Sequence, residues 1–181
     1  PDRHGDEEVG EDFRTGLDAD PQEPRKREDR EHRARAEVLA ALIRAHPLGT
    51  LVTLGPGAEG LNANHIPFLL DPEPAPHGTL IGHVSRANPV WRNFHPEVQA
   101  LVVFQGAAGY VTPSWYATKA TTHKVVPTWN YMVVHAHGPM RIIDDPVWLR
   151  AFLAQLVDRH ESTRPDPWKI TDAPDDFIAM Q

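Results

Sequence analysis

From Pro47 onward the apolar residues alternate with polar ones, and before it they recur at helical spacing. Val38, Leu39, Leu42 and Ile43 form one stripe that Pro47 stops, which predicts a helix continuing out of the charged stretch PRKREDREHRARAEV. LGTLVTL (48–54) and LNANHIPFLL (61–70) read as two strands joined through the turn GPGAEG. TLIGHVS (79–85) and ALVVFQG (100–106) add two more. GYVTPSWY (109–116) begins another that breaks at Pro113, and KVVPTWNYMVVHAHG (124–138) and RIIDD (141–145) complete the set. Short helices are expected over NPVWRNF (88–94) and over PVWLRAFLAQLVDRHE (146–161), the second with Asp145 as N-cap and Pro146 as its first residue. Many short strands, few helices and no strand–helix–strand alternation predict a mainly β, antiparallel barrel.

One strand is unusual in its side chains. With period two, Trp129, Tyr131, Val133, His135 and His137 share a face, and Asn130, Met132, Val134 and Ala136 share the other. The first face carries more rings and hydrogen-bonding tips than solvent requires. It suits a pocket lining, a subunit seam, or both.

Composition narrows the classes. Residues 1–35 hold few large apolar side chains, chiefly Val9, Phe13 and Leu17, so a disordered, charged tail is expected before a domain over 36–181. The net charge of -7 is concentrated there: the first 37 residues carry 13 acidic and 8 basic side chains, leaving 12 and 10 in the rest. The body is thus nearly neutral and shows no basic stripe for duplex phosphates, so direct, specific DNA binding is not expected. There is no cysteine, which excludes disulfides and thiolate chemistry. No apolar run approaches the roughly 20 residues of a membrane-spanning helix, and a cytoplasmic location is the expectation.

Candidate chemistry is sparse. Dinucleotide, P-loop and nucleophile-elbow motifs are absent. His135 and His137 share a strand face, but no carboxylate accompanies them in sequence, so no metal site is expected. No catalytic residue stands out. The stretch GHVSRANPVWR (82–92) is the most suggestive. Asn88 and Pro89 read as an N-cap and first helical residue, with Ser85 and Arg86 just before them. A helix start with a hydroxyl and a guanidinium suits a phosphate; the alternative is a capped helix with a solvated arginine.

In order along the chain, HPLGTLVT, NANHIPFLL, GHVSRANPVWR, YVTPSWY, KVVPTWNYMVVHAHG and DDPVWLRAFLAQLVDRHE resemble the PaiB-type proteins, FMN-binding negative transcriptional regulators. The resemblance covers about residues 38 to 179. It implies a split β-barrel of the flavin-reductase and pyridoxamine-phosphate-oxidase type, a homodimer, and FMN at the subunit seam. It implies that Ser85, Arg86 and Asn88 hold the FMN phosphate and that Asn64 and His65 lie on the strand beside the isoalloxazine ring. Thr128, Trp129 and Asn130 would contribute from the seam. Relative to that family the chain stops short of a further strand beyond DFIAM, so the barrel is expected to be truncated at its C-terminal end. The function implied is regulation through flavin or partner binding. The alternatives are a small FMN-dependent oxidoreductase and a split barrel that has lost its flavin.

Overall fold

Alternation along LGTLVTL produces the central strand of a five-stranded antiparallel sheet. In the computed structural model, which describes residues 23–57, 60–75 and 77–174 (backbone alone over 23–33), helix α1 (Glu23–Ala45) leads into β1 (Leu48–Leu54). The helix includes much of the charged segment up to Glu37. The remainder of the expected tail, residues 1–22, and the DFIAM end lie outside the described residues. β1 pairs on one side with β2 (Leu61–Asp71), which pairs with β3 (Thr79–Gly82). On its other side it pairs with β4 (Ala100–Val111), which pairs with β5 (Thr128–Gly138), so the sheet order is β3-β2-β1-β4-β5.

Period two sets what is buried. Gly49, Leu51 and Thr53 of β1 point inward with Ile66 and Phe68 of β2, Val102 and Phe104 of β4, and Val134 of β5. Ile43 of α1 and Val90 close the cluster. Phe104 is at its centre, 0% exposed, edge-on to Phe68 at 5.9 Å between ring centroids. Gly49 makes room for that pair. A Cβ there would lie 2.7 Å from Val102 Cγ1 and 2.8 Å from Phe104 Cε1, so even alanine would force the core apart.

Two expected strands are one. The segment read as 100–106 and the start of that read as 109–116 form a single β4, because Gly106 and Ala107 form a bulge through which the strand continues. The register with β5 shifts between Gln105 and Ala108. β1 reaches β4 only at Leu101–Val103, so beyond Gln105 the strands β4 and β5 continue as a two-stranded ribbon. RIIDD (141–145) is not a strand: it finds no ladder partner among the described residues, and Ile142 and Ile143 are exposed. The helix expected over 88–94 is a single 3-10 turn, Pro89–Trp91, and β3 ends at Gly82. A short helix α2 (Lys119–Thr122) sits in the connection from β4 to β5.

Helix α3 (Pro146–Glu161) starts as expected. Asp145 Oδ1 accepts hydrogen bonds from the Val147 and Trp148 N–H groups at 2.8 and 3.3 Å. Its Phe152 is 3% exposed, stacked on Trp148 and edge-on to His83 at 5.9 Å. His83 Nδ1 is buried without a hydrogen-bond partner among the described residues, and burial holds its pKa below the ordinary 6.5. The unfolded chain takes up a proton there as the pH falls below 6.5 while the folded one resists. Stability from this site is therefore complete above that pH and declines below it. Thermal melts between pH 7.5 and 5 are expected to fall less steeply in His83→Leu than in the parent. Equal slopes would show that His83 does not carry the effect. The mainly β sheet with few short helices is of the split-barrel type.

Candidate functional site

The loop after β3 is organised by local hydrogen bonds. Ser85 Oγ accepts from the Ala87 N–H at 3.3 Å, and its carbonyl accepts from the Asn88 N–H at 2.9 Å. Asn88 Oδ1 accepts from the Val90 N–H at 2.9 Å, which caps the 3-10 turn. Its Nδ2 donates to Asn64 Oδ1 on β2 at 2.8 Å, joining the loop to the sheet. Ser85, Arg86, Asn88 and Asn64 are thus brought together. The anion-attracting helix start expected here is not present. Three residues sum to almost no dipole, and the Val90 N–H is already taken. What remains for an anion is the guanidinium and the Ser85 hydroxyl proton.

Arg86 is engaged. Its Nη2 and Nη1 donate to Asp144 Oδ1 and Oδ2 at 2.7 and 3.3 Å, a forked pair whose partners are 66% and 57% exposed. The hydrogen bond to Arg86 comes first among the causes that hold the Asp144 carboxyl below the usual range. The charges of Arg86 and Arg92 add to it, and the same pairing raises Arg86. Both arginines lie over the Trp91 ring, Arg92 3.9 Å and Arg86 5.7 Å from its centroid. Its indole N–H donates to the Arg86 carbonyl at 3.2 Å. Asp144, Trp91 and Arg92 are members of the site that the sequence reading missed. The two arginines flanking a tryptophan in RANPVWR were the available signal.

Asn64 and His65 point to opposite faces of β2. Asn64 pairs with Leu51 on the inner face and is half-buried. His65 pairs with Thr50 on the outer face and is exposed, in a row that continues through Val103 to His135. Thr128, Trp129 and Asn130 are elsewhere again, exposed on the ribbon opposite Val111, Tyr110 and Gly109. Trp129 meets Tyr110 edge-on at 6.2 Å. It is six residues along β5 from His135, roughly 20 Å at the usual strand rise. Within one chain the two groups of candidate residues do not meet.

A cleft of about 490 Å³ lies between the end of α1, β2 and α3, lined by Ile43, Phe68, Leu70, Ile81 and Arg159 among others. It contains none of the candidate residues. A site at a subunit seam need not be a cavity in one chain. A guanidinium with a free-proton hydroxyl beside it, a second arginine and a tryptophan ring suits a phosphate monoester, so the residues present fit that end of a flavin nucleotide.

Comparison with known proteins agrees. The family model described as "Putative FMN-binding domain" matches residues 28–181. An uncharacterised protein of Saccharomyces cerevisiae is 40% identical over 108 residues, which cover 59% of this chain and 64% of that protein. An uncharacterised protein of Aspergillus fumigatus is 33% identical over 186 residues, covering 79% of this chain and 71% of the relative. The Bacillus subtilis protein named protease synthase and sporulation protein PAI 2 is 31% identical over 132 residues, covering 73% of this chain and 59% of its own length. No helix among the described residues is long and apolar enough to cross a membrane. The chain belongs to the FMN-binding family of PaiB-like proteins, and FMN is its cofactor.

Proposed function

We propose that this chain is a negative transcriptional regulator that works as a homodimer, with FMN held at the seam and its signal passed through flavin or partner binding. One observation carries the reading. The phosphate-binding loop and the aromatic ribbon are separated within a single chain, and the ribbon leaves Trp129 and Tyr131 62% and 66% exposed. A second copy supplying its ribbon would complete a site that one copy leaves open. Ser85 and Arg86 would then hold the phosphate, Asn88 would fix the amide of Asn64, and the partner's rings would cover the isoalloxazine and exclude water. Bound flavin supplies one- and two-electron redox chemistry. The regulatory role draws on the Bacillus relative, whose name ties it to protease synthesis and sporulation. The nearly neutral body supports action without direct reading of DNA.

The experiment combines three measurements on the purified chain. Denaturation and chromatography are expected to release FMN. Recovery of FAD alone would overturn the phosphate assignment. Fluorescence anisotropy with duplex DNA at physiological salt is expected to show no tight binding, and sub-micromolar binding that survives competitor DNA would make direct repression the better reading. Steady oxidation of NADH or NADPH in the presence of flavin would instead favour a small FMN-dependent oxidoreductase.

A further inference from the structure

We propose that Asp144 is an internal competitor for the cofactor's phosphate, a carboxylate that occupies Arg86 until phosphorylated flavin displaces it. The inference rests on the FMN reading above and concerns the same arginine. A guanidinium presents its Nη1–Nη2 fork to two oxygens borne on one atom, and carboxylate and phosphate match that fork alike. Here Asp144 takes it, at 2.7 and 3.3 Å.

Three observations mark the contact as exchangeable. First, both side chains are mostly exposed, so water and salt weaken the pair and neither group must be desolvated to part. Second, Asp144 has no structural duty at the helix it precedes. The α3 cap is made by Asp145, which receives the Val147 and Trp148 N–H groups itself. Third, Asp144 also feels the charge of Arg92, whose guanidinium lies over the Trp91 ring. When an anion takes Arg86, the carboxylate keeps a cation nearby. Asp144 therefore lowers phosphate affinity by competing for the same fork of Arg86. Asp144 thereby sets the concentration of FMN at which the site fills.

The test is a flavin-fluorescence titration of the full chain at low salt with FMN and with riboflavin, which lacks the phosphate. Asp144→Asn is expected to bind FMN roughly three- to tenfold more tightly, with riboflavin unchanged. Arg86→Ala is expected to lose roughly tenfold for FMN, and in that background Asp144→Asn should bring no gain. Asp144→Ser should behave as Asp144→Asn, and unchanged melting temperatures would confirm that the fold is intact. Equal or weaker FMN binding by Asp144→Asn overturns the proposal, since Asp144 would then be neutral or would orient Arg86 for phosphate. A gain that extends to riboflavin, or persists without Arg86, overturns it as well. The two levels separate cleanly. If neither the parent nor Asp144→Asn binds FMN, the cofactor reading fails and takes the proposal with it. If the parent binds and the variant gains nothing, the proposal fails alone.

Discussion

Phe104→Ala is expected to lower the free energy of unfolding by about 3–5 kcal/mol. A domain of this size has roughly 5–15 kcal/mol in total, so the variant would stand near the edge of folding. The ring is 0% exposed and edge-on to Phe68, opposite Val134 in the β4–β5 register. Its neighbours belong to β1, β2 and β5, whose positions are fixed by backbone ladders, so the space left behind cannot close by a small shift. Gly49 sharpens the point, because the backbone of β1 already approaches as near as the absence of a side chain allows. Urea denaturation is the measurement. Phe104→Leu, which keeps most of the volume, should cost less than Phe104→Ala. A loss below about 1 kcal/mol for the alanine variant would mean that the core repacks around the gap.

Trp129→Asp is expected to turn a dimer into a monomer. The ribbon beyond Gln105 is not paired with β1, and it displays Tyr110, Trp129, Tyr131 and Met132, with Trp115, Tyr116 and Val126 in the connection. Such a patch is larger than a soluble monomer ordinarily leaves in water. A central interface tryptophan contributes about 2–4 kcal/mol, and a twofold axis presents it twice, so the dissociation constant should rise by roughly a thousandfold or more. Light scattering should show the parent at twice 20.3 kDa and the variant at 20.3 kDa. Because Trp129 is mostly exposed in the single chain, the melting curve of the variant monomer should remain cooperative. A parent that is monomeric at micromolar concentration would defeat the seam as well as the substitution.

What the sequence revealed and what it hid have physical causes. β1 and β2 were legible because two runs of strand-forming residues flank a glycine-containing turn. Asp145 and Asn88 were legible as caps because each precedes a proline at a helix start. The continuity of β4 was not legible, since glycines at 106 and 109 interrupt the strand pattern, and only the ladder to β5 shows that a bulge absorbs the extra residue. RIIDD has strand-forming side chains but no ladder partner among the described residues, and pairing is a tertiary fact that no local pattern contains. In the site, the opposite orientation of Asn64 and His65 follows from period two alone, although both residues were assigned to the flavin. The partner of Arg86 could not be read. Asp144 is 58 residues away in sequence, and no local pattern links the two.

The strand at the middle of the sheet is also the first strand among the described residues, which bears on how the protein is made. β1 meets β2 across a short turn, but its other neighbour is β4, whose contacting residues Leu101–Val103 follow only after β3 and two further connections. A lone hairpin has little stability, and closing the longer loop costs entropy before the new pairs reward it. During synthesis the β1–β2 hairpin therefore waits with one edge of β1 unpaired and the inward face of Leu51 in water. That edge is where another nascent strand would mispair, and the interval of greatest risk ends when Val103 has emerged from the ribosome and docked.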